Sequence, residues 1–89
     1  MIVDLKEIYV KSITGEKEII ELDYKGLANF IFTKTQDVGE LEMAREIYKN
    51  GELELDKESA VILKNYIGQV FKAVVHEALY PILDKIINQ

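Results

Sequence analysis

Ile8-Tyr9-Val10-Lys11-Ser12-Ile13-Thr14-Gly15-Glu16-Lys17-Glu18-Ile19-Ile20-Glu21-Leu22 is the stretch that separates a mixed fold from an all-helical one. β-branched and aromatic residues, Ile8 to Ile13 and Glu18 to Leu22, flank a turn at Thr14-Gly15-Glu16-Lys17, which reads as a hairpin. Side chains alternate with period two along a strand, so Ile8 and Val10 can share a buried face with Ile20 and Leu22. Upstream, Met1 to Glu7 has no clean period.

Downstream the period changes to that of helices. Asp23 offers an N-cap, Leu22 and Leu27 are placed as a hydrophobic staple, and Leu27, Phe30 and Ile31 fall on one side of a short helix reaching Lys34. Asp37-Val38-Gly39-Glu40 has capping-box spacing, with Leu41, Ala44, Ile47 and Tyr48 as the apolar stripe behind it. Asn50-Gly51 ends this second helix, because Gly tolerates the left-handed conformation. Glu52-Leu53-Glu54-Leu55 alternates and predicts a short third strand, and Asp56 caps the next helix. From Lys57 the helical period continues to about Tyr80, with Glu58, Asn65, Gln69, Lys72 and His76 in one polar arc. Pro81 then predicts a kink or restart before Ile82, Leu83, Ile86 and Ile87. The expected fold is a single α+β domain over residues 1–89, in the order β-β-α-α-β-α(-α). Three to four helices pack on one side of a small antiparallel sheet made of the hairpin and one short strand.

Composition narrows the function. With 89 residues, 48% hydrophobic and 30% charged, one Pro and five Gly, the chain is of an ordinary globular class. The net charge is −5, and a single arginine, Arg45, accompanies ten dispersed lysines. Direct nucleic-acid binding and attraction to anionic membranes are therefore not expected. Acids are concentrated in residues 1–58 (14 Asp/Glu against 8 Lys/Arg), whereas residues 59–89 hold 2 and 3 and are otherwise mostly apolar. The absence of cysteine excludes disulfides, thiol catalysis and thiolate metal sites. Charges interrupt both the N-terminus and the apolar segment 60–87, so neither a signal peptide nor a membrane helix is expected, and a cytoplasmic location is the default.

Few residues carry chemistry. His76, the one imidazole, lacks an orienting partner, since Glu77 points about 100° away on a helix, and is read as an exposed structural residue. Ser12 and Ser59 sit in no nucleophile elbow, and the five glycines are isolated, with no phosphate-binding loop. No catalytic residue, metal ligand set or cofactor is assigned. Glu52, Glu54, Asp56 and Glu58 lack the Gly and ligand ladder of a calcium loop and are read as solvent face plus cap. Phe30, Tyr48, Tyr66 and Phe71 are assigned to core faces by helical spacing rather than to a base-stacking surface.

The run Thr35-Gln36-Asp37-Val38-Gly39-Glu40-Leu41-Glu42-Met43-Ala44-Arg45-Glu46-Ile47-Tyr48-Lys49-Asn50-Gly51-Glu52-Leu53-Glu54-Leu55, after a hairpin and before a long apolar helix, resembles small uncharacterised proteins of bacterial prophages and mobile elements. The resemblance covers about a quarter of the chain and implies a phage context, but transfers no functional residue. Two functional expectations result. The first is a non-enzymatic interaction or assembly module that homodimerises through Leu79, Ile82, Leu83, Ile86 and Ile87 and engages an unidentified protein partner. The second is an acidic regulator that occupies a basic site on a nucleic-acid-binding protein through Glu40, Glu42, Glu46, Glu52 and Glu54. A small metal-dependent hydrolase is a third expectation.

Overall fold

A computed structural model describes all of residues 1–89. Strands β1 (Ile2–Asp4), β2 (Glu7–Lys11) and β3 (Lys17–Glu21) are followed by helices α1 (Tyr24–Lys34) and α2 (Val38–Asn50). Strand β4 (Glu52–Glu54) and helices α3 (Lys57–Val70) and α4 (Ala73–Ile87) complete the chain. The class is α+β, as expected. The hairpin forms with Ile8 opposite Ile20 and Tyr9 opposite Ile19, but its turn is Ser12–Glu16 rather than Thr14–Lys17, since Lys17 pairs with Lys11 and Ser12 N–H closes on Glu16 O (2.8 Å); Gly15 takes φ 88° within it. Ile8 and Val10 are buried, and α4 lies against β2.

The expected single sheet is instead two separate two-stranded antiparallel sheets, β2–β3 and β1–β4. The third strand does not extend the hairpin but pairs with the N-terminus, Val3 opposite Leu53. Flanking bonds from Leu5 N–H to Gly51 O (2.8 Å) and from Leu55 N–H to Met1 O (2.9 Å) lengthen the ladder. A three-residue strand spans only one and a half alternations, so β1 leaves no readable period in the sequence.

Aspartates start three helices. Asp23 accepts from Gly26 N–H (2.9 Å), and Asp37 accepts from Gly39 and Glu40 N–H (2.7 and 3.2 Å). The reciprocal capping box expected at Asp37/Glu40 is not made, because Thr35 Oγ1 takes the Asp37 N–H (3.0 Å) and Glu40 turns elsewhere. It occurs at α3, where Asp56 accepts from Ser59 N–H (2.8 Å) and Ser59 Oγ accepts from Asp56 N–H (2.9 Å). Gly51 ends α2 at φ 69°, as expected.

The largest departure concerns residues 57–87. The helix does not run to Tyr80 and bend at Pro81; it breaks at Phe71 and Lys72, which are extended, and α4 continues through Pro81. Pro81 is exposed, so its lost N–H bond and its ring fall on the solvent side. A continuous helix over these 31 residues would be about 46 Å long, more than the longest dimension of the molecule, 42 Å. Folding back lets Leu63 and Ile67 of α3 share one core with Val75, Leu79, Leu83 and Ile86 of α4. The two helices are tied by Lys64 Nζ donating to Asp84 Oδ1 (2.7 Å) and by close approach at Gly68, where a Cβ would lie 2.8 Å from the Tyr80 hydroxyl. His76 Nε2 lies 3.1 Å from Ile67 O in the last turn of α3, and its ring stacks on Tyr80. A carbonyl only accepts, so Nε2 carries the proton. His76 is thus half-buried rather than exposed, adding a second donor to the Ile67 carbonyl, which also accepts from Phe71 N–H (3.0 Å). The 19 buried hydrophobic residues form one continuous core, which contains no buried charged or polar side chain.

Candidate functional site, an acidic groove

The left-handed turn at Gly51 sends β4 back beside α2, and α3 starts shortly after β4 ends. This brings three sequence-separated sets of acids to one groove of about 440 Å³: Asp37, Glu40, Glu42 and Glu46 from α2 and its cap, Glu54 from β4, and Asp56 and Glu58 from the start of α3. Met43, Leu53 and Ile62 supply its apolar lining, and no Lys or Arg lines it. Of the expected acidic partner surface, Glu40, Glu42, Glu46 and Glu54 are gathered here, while Glu52 does not line the groove. Asp37, Asp56 and Glu58 also line it; the sequence reading assigns the two aspartates to helix caps and Glu58 to a solvent face. The signal that finds them is Gly51, since a reversal there must place the N-terminal turn of α2 near the end of β4.

The carboxylates differ in what already holds them. Asp37 and Asp56 are committed to helix N-termini, whose positive dipole ends offset their charge. Hydrogen bonds from the Ser59 amide and hydroxyl hold Asp56 below its ordinary 3.8. Glu42 pairs with Arg45, Glu46 accepts from Asn50 Nδ2 (2.8 Å), and Glu54 contacts the N-terminal ammonium (3.0 Å). These are exposed contacts that a partner can replace at little cost. Glu58 has no ion-pair partner. The acids are spread along the groove, and no three of them converge on a point suited to a metal ion. Ser59 Oγ is engaged with Asp56 (2.8 Å).

Glu40 is the half-buried exception. Its Oε1 accepts from Tyr66 Oη (2.6 Å) and from Thr35 Oγ1 (3.0 Å), linking α2 to α3, and Phe30 meets the Tyr66 ring edge-on at 6.1 Å. The bond to Glu40, helped by burial, pushes the Tyr66 phenol above its ordinary 10.0. A raised folded value means the neutral phenol stabilises the fold below pH about 10 and that this contribution is lost as pH rises through the folded value. In an alkaline absorbance titration, one of the five tyrosines should therefore ionise late. Glu40→Gln should move that late step to lower pH, and an unchanged late step in Tyr66→Phe would assign it to another tyrosine.

The expected self-association residues are placed differently. Leu79, Leu83 and Ile86 are core residues of the single chain at 1%, 0% and 3% exposure, Ile87 is half-buried, and only Ile82 is open to solvent at 41%. The break at residues 71–72 folds this surface inward. Tyr48 also departs from its expected core position: it is exposed and lines a shallow groove with Phe32, where Lys25 covers its ring at 5.3 Å. No helix is long and apolar enough to cross a membrane. Compared with protein-family models, curated proteins and solved structures, the chain matches none of them.

Proposed function

We propose that this protein is a non-enzymatic interaction module that binds a basic segment of a partner protein in the groove between α2, β4 and α3. The observation that carries the reading is the convergence of acids from three separate stretches on one concavity without a basic lining residue. Apolar lining from Met43, Leu53 and Ile62 gives aliphatic stems of Lys and Arg a surface to cover, while the rim carboxylates meet their charges. The partner is a surface that would otherwise contact nucleic-acid phosphates, so the module acts as an acidic regulator of it. The phage context implied by residues 35–55 accords with such a role.

A labelled Lys/Arg-rich peptide tests the groove directly. Glu46→Lys/Glu58→Lys should weaken its binding at least about tenfold, and wild-type affinity should fall steeply with salt. Glu16→Lys/Glu18→Lys, at the hairpin tip, changes net charge equally and should retain most of the affinity. Equal losses in the two double variants would reduce the effect to overall charge and remove the groove from the account. Capture from native lysate through the intact groove, competed by the peptide, then identifies the partner.

A further inference from the structure

The outer face of the hairpin carries an arrangement that its own fold does not use. Opposite residues of an antiparallel pair point to the same side, so the side away from the core is built from three cross-strand rows: Glu7 with Glu21, Tyr9 with Ile19, and Lys11 with Lys17. All six are exposed, Tyr9 at 67% and Ile19 at 55%. Like charges directly opposite destabilise a hairpin, and here both ends of the face have them. None of the four takes part in an ion pair; those present are Met1–Glu54, Glu42–Arg45 and Lys64–Asp84. The face therefore presents two unpaired negative charges, an apolar centre, and two unpaired positive charges. Rows lie about 7 Å apart, at two residues per row.

We propose that a second copy of this chain docks on this face, so that the protein self-associates through its hairpins about a twofold axis. A twofold lying in the plane between two stacked faces and perpendicular to the strands reverses one face along its length. It sets Tyr9 and Ile19 over their counterparts, the Glu7/Glu21 row over the other copy's Lys11/Lys17 row, and the reverse at the far end. The alternative axis, parallel to the strands, sets Glu on Glu and Lys on Lys, so the charge pattern selects one geometry of the two. A twofold interface must be self-complementary, and this six-residue pattern is. The dimer covers the apolar pair and gives each like-charged row the opposite charge it lacks. It uses neither the C-terminal residues buried in the core nor the acidic groove, and so stands or falls apart from the proposed function. Six side chains are few beside the roughly 20–30 residues per partner of a standard interface, so the association is weak and belongs to the high-concentration range.

Sedimentation of the wild-type chain up to about 1 mM should show concentration-dependent dimerisation, weakened at about 0.5 M salt. A monomer mass throughout, or association strengthened by salt, overturns the proposal. Glu7→Lys/Glu21→Lys and Lys11→Glu/Lys17→Glu each replace one like-charged row by another, leaving the hairpin's internal repulsion as it was. Each should be monomeric alone, and an equimolar mixture should associate at least as well as wild type. Both variants keep a net negative charge, so overall attraction does not explain association on mixing. Failure of the mixture to associate sinks the face-to-face geometry. Self-association of the all-lysine variant alone would assign the contact to the acidic groove instead, and would likewise overturn it. The quadruple variant with both rows exchanged regenerates the pattern in mirror order and should dimerise like wild type; a monomer there counts against the proposal.

Discussion

Leu83→Glu is expected to leave the chain without a cooperative melt or a native circular dichroism spectrum. Leu83 has no exposed surface and lies in the core that α4 shares with α3. Removing a buried leucine side chain costs about 2–5 kcal/mol through lost burial and the cavity left behind. Glutamate adds a carboxylate among apolar neighbours, which must either bury a charge or be protonated at further cost. A chain of 89 residues has roughly 4–13 kcal/mol of total stability to lose. The two terms together are comparable with all of it. Ile82→Glu, one residue away but on the accessible side, should retain the wild-type spectrum and melt close to the parent. If Leu83→Glu instead folded normally, with only a change in mass, the back-folded α3–α4 hairpin would be wrong and the surface would be an interface.

Replacing Gly51 by proline should have the next largest effect. Gly51 holds φ at 69°, and its N–H closes the end of α2 on Ile47 O at 2.8 Å. Its carbonyl accepts from Leu5 N–H at 2.8 Å, which sets β1 beside β4. Proline fixes φ near −65° and has no N–H, so the turn, the cap and the strand register cannot all survive. The expected loss is about 3 kcal/mol or more, a drop in melting temperature of roughly 12–24 °C for a domain of this size. Gly51→Ala separates the causes. It keeps the N–H and adds about 1–2 kcal/mol of left-handed strain, and its Cβ would crowd Lys6 Cγ, part of a flexible side chain with room to move. A proline variant no less stable than the alanine variant would show that the left-handed turn does not organise this part of the fold. Because Gly51 also turns β4 back along α2, the proline variant should lose the groove's peptide binding together with stability.

The local elements were legible because short-range chemistry decides them. Asp23, Asp37 and Asp56 cap helices wherever the chain places their carboxylates near free N–H groups, and Gly51 takes a conformation that other residues avoid. The alternation of Ile8 and Val10 against Tyr9 and Lys11 defines the hairpin and its two faces without reference to the rest of the molecule. Past Asp56, periodicity is present but the surface each helix packs against is not visible in it. Residues 57–80 keep one helical phase across Phe71 and Lys72, so nothing in the pattern marks the break.

The sequence by itself determined the α+β class, the three aspartate caps, the left-handed stop at Gly51, the presence of the hairpin with Ile8 and Val10 on its buried face, and the concentration of acids in the first 58 residues. Each of these depends on residues within a few positions of one another, where backbone sterics and hydrogen bonding act without help from distant parts. The tertiary structure alone decided that α3 and α4 fold against each other, that Leu79, Leu83 and Ile86 are interior, that β4 pairs with the N-terminus, and that Glu40, Glu54 and Glu58 meet at one groove. Those outcomes follow from burying the most apolar area in one core. Burial area is a property of the whole chain, so the choice among locally equivalent arrangements is made only when the elements pack.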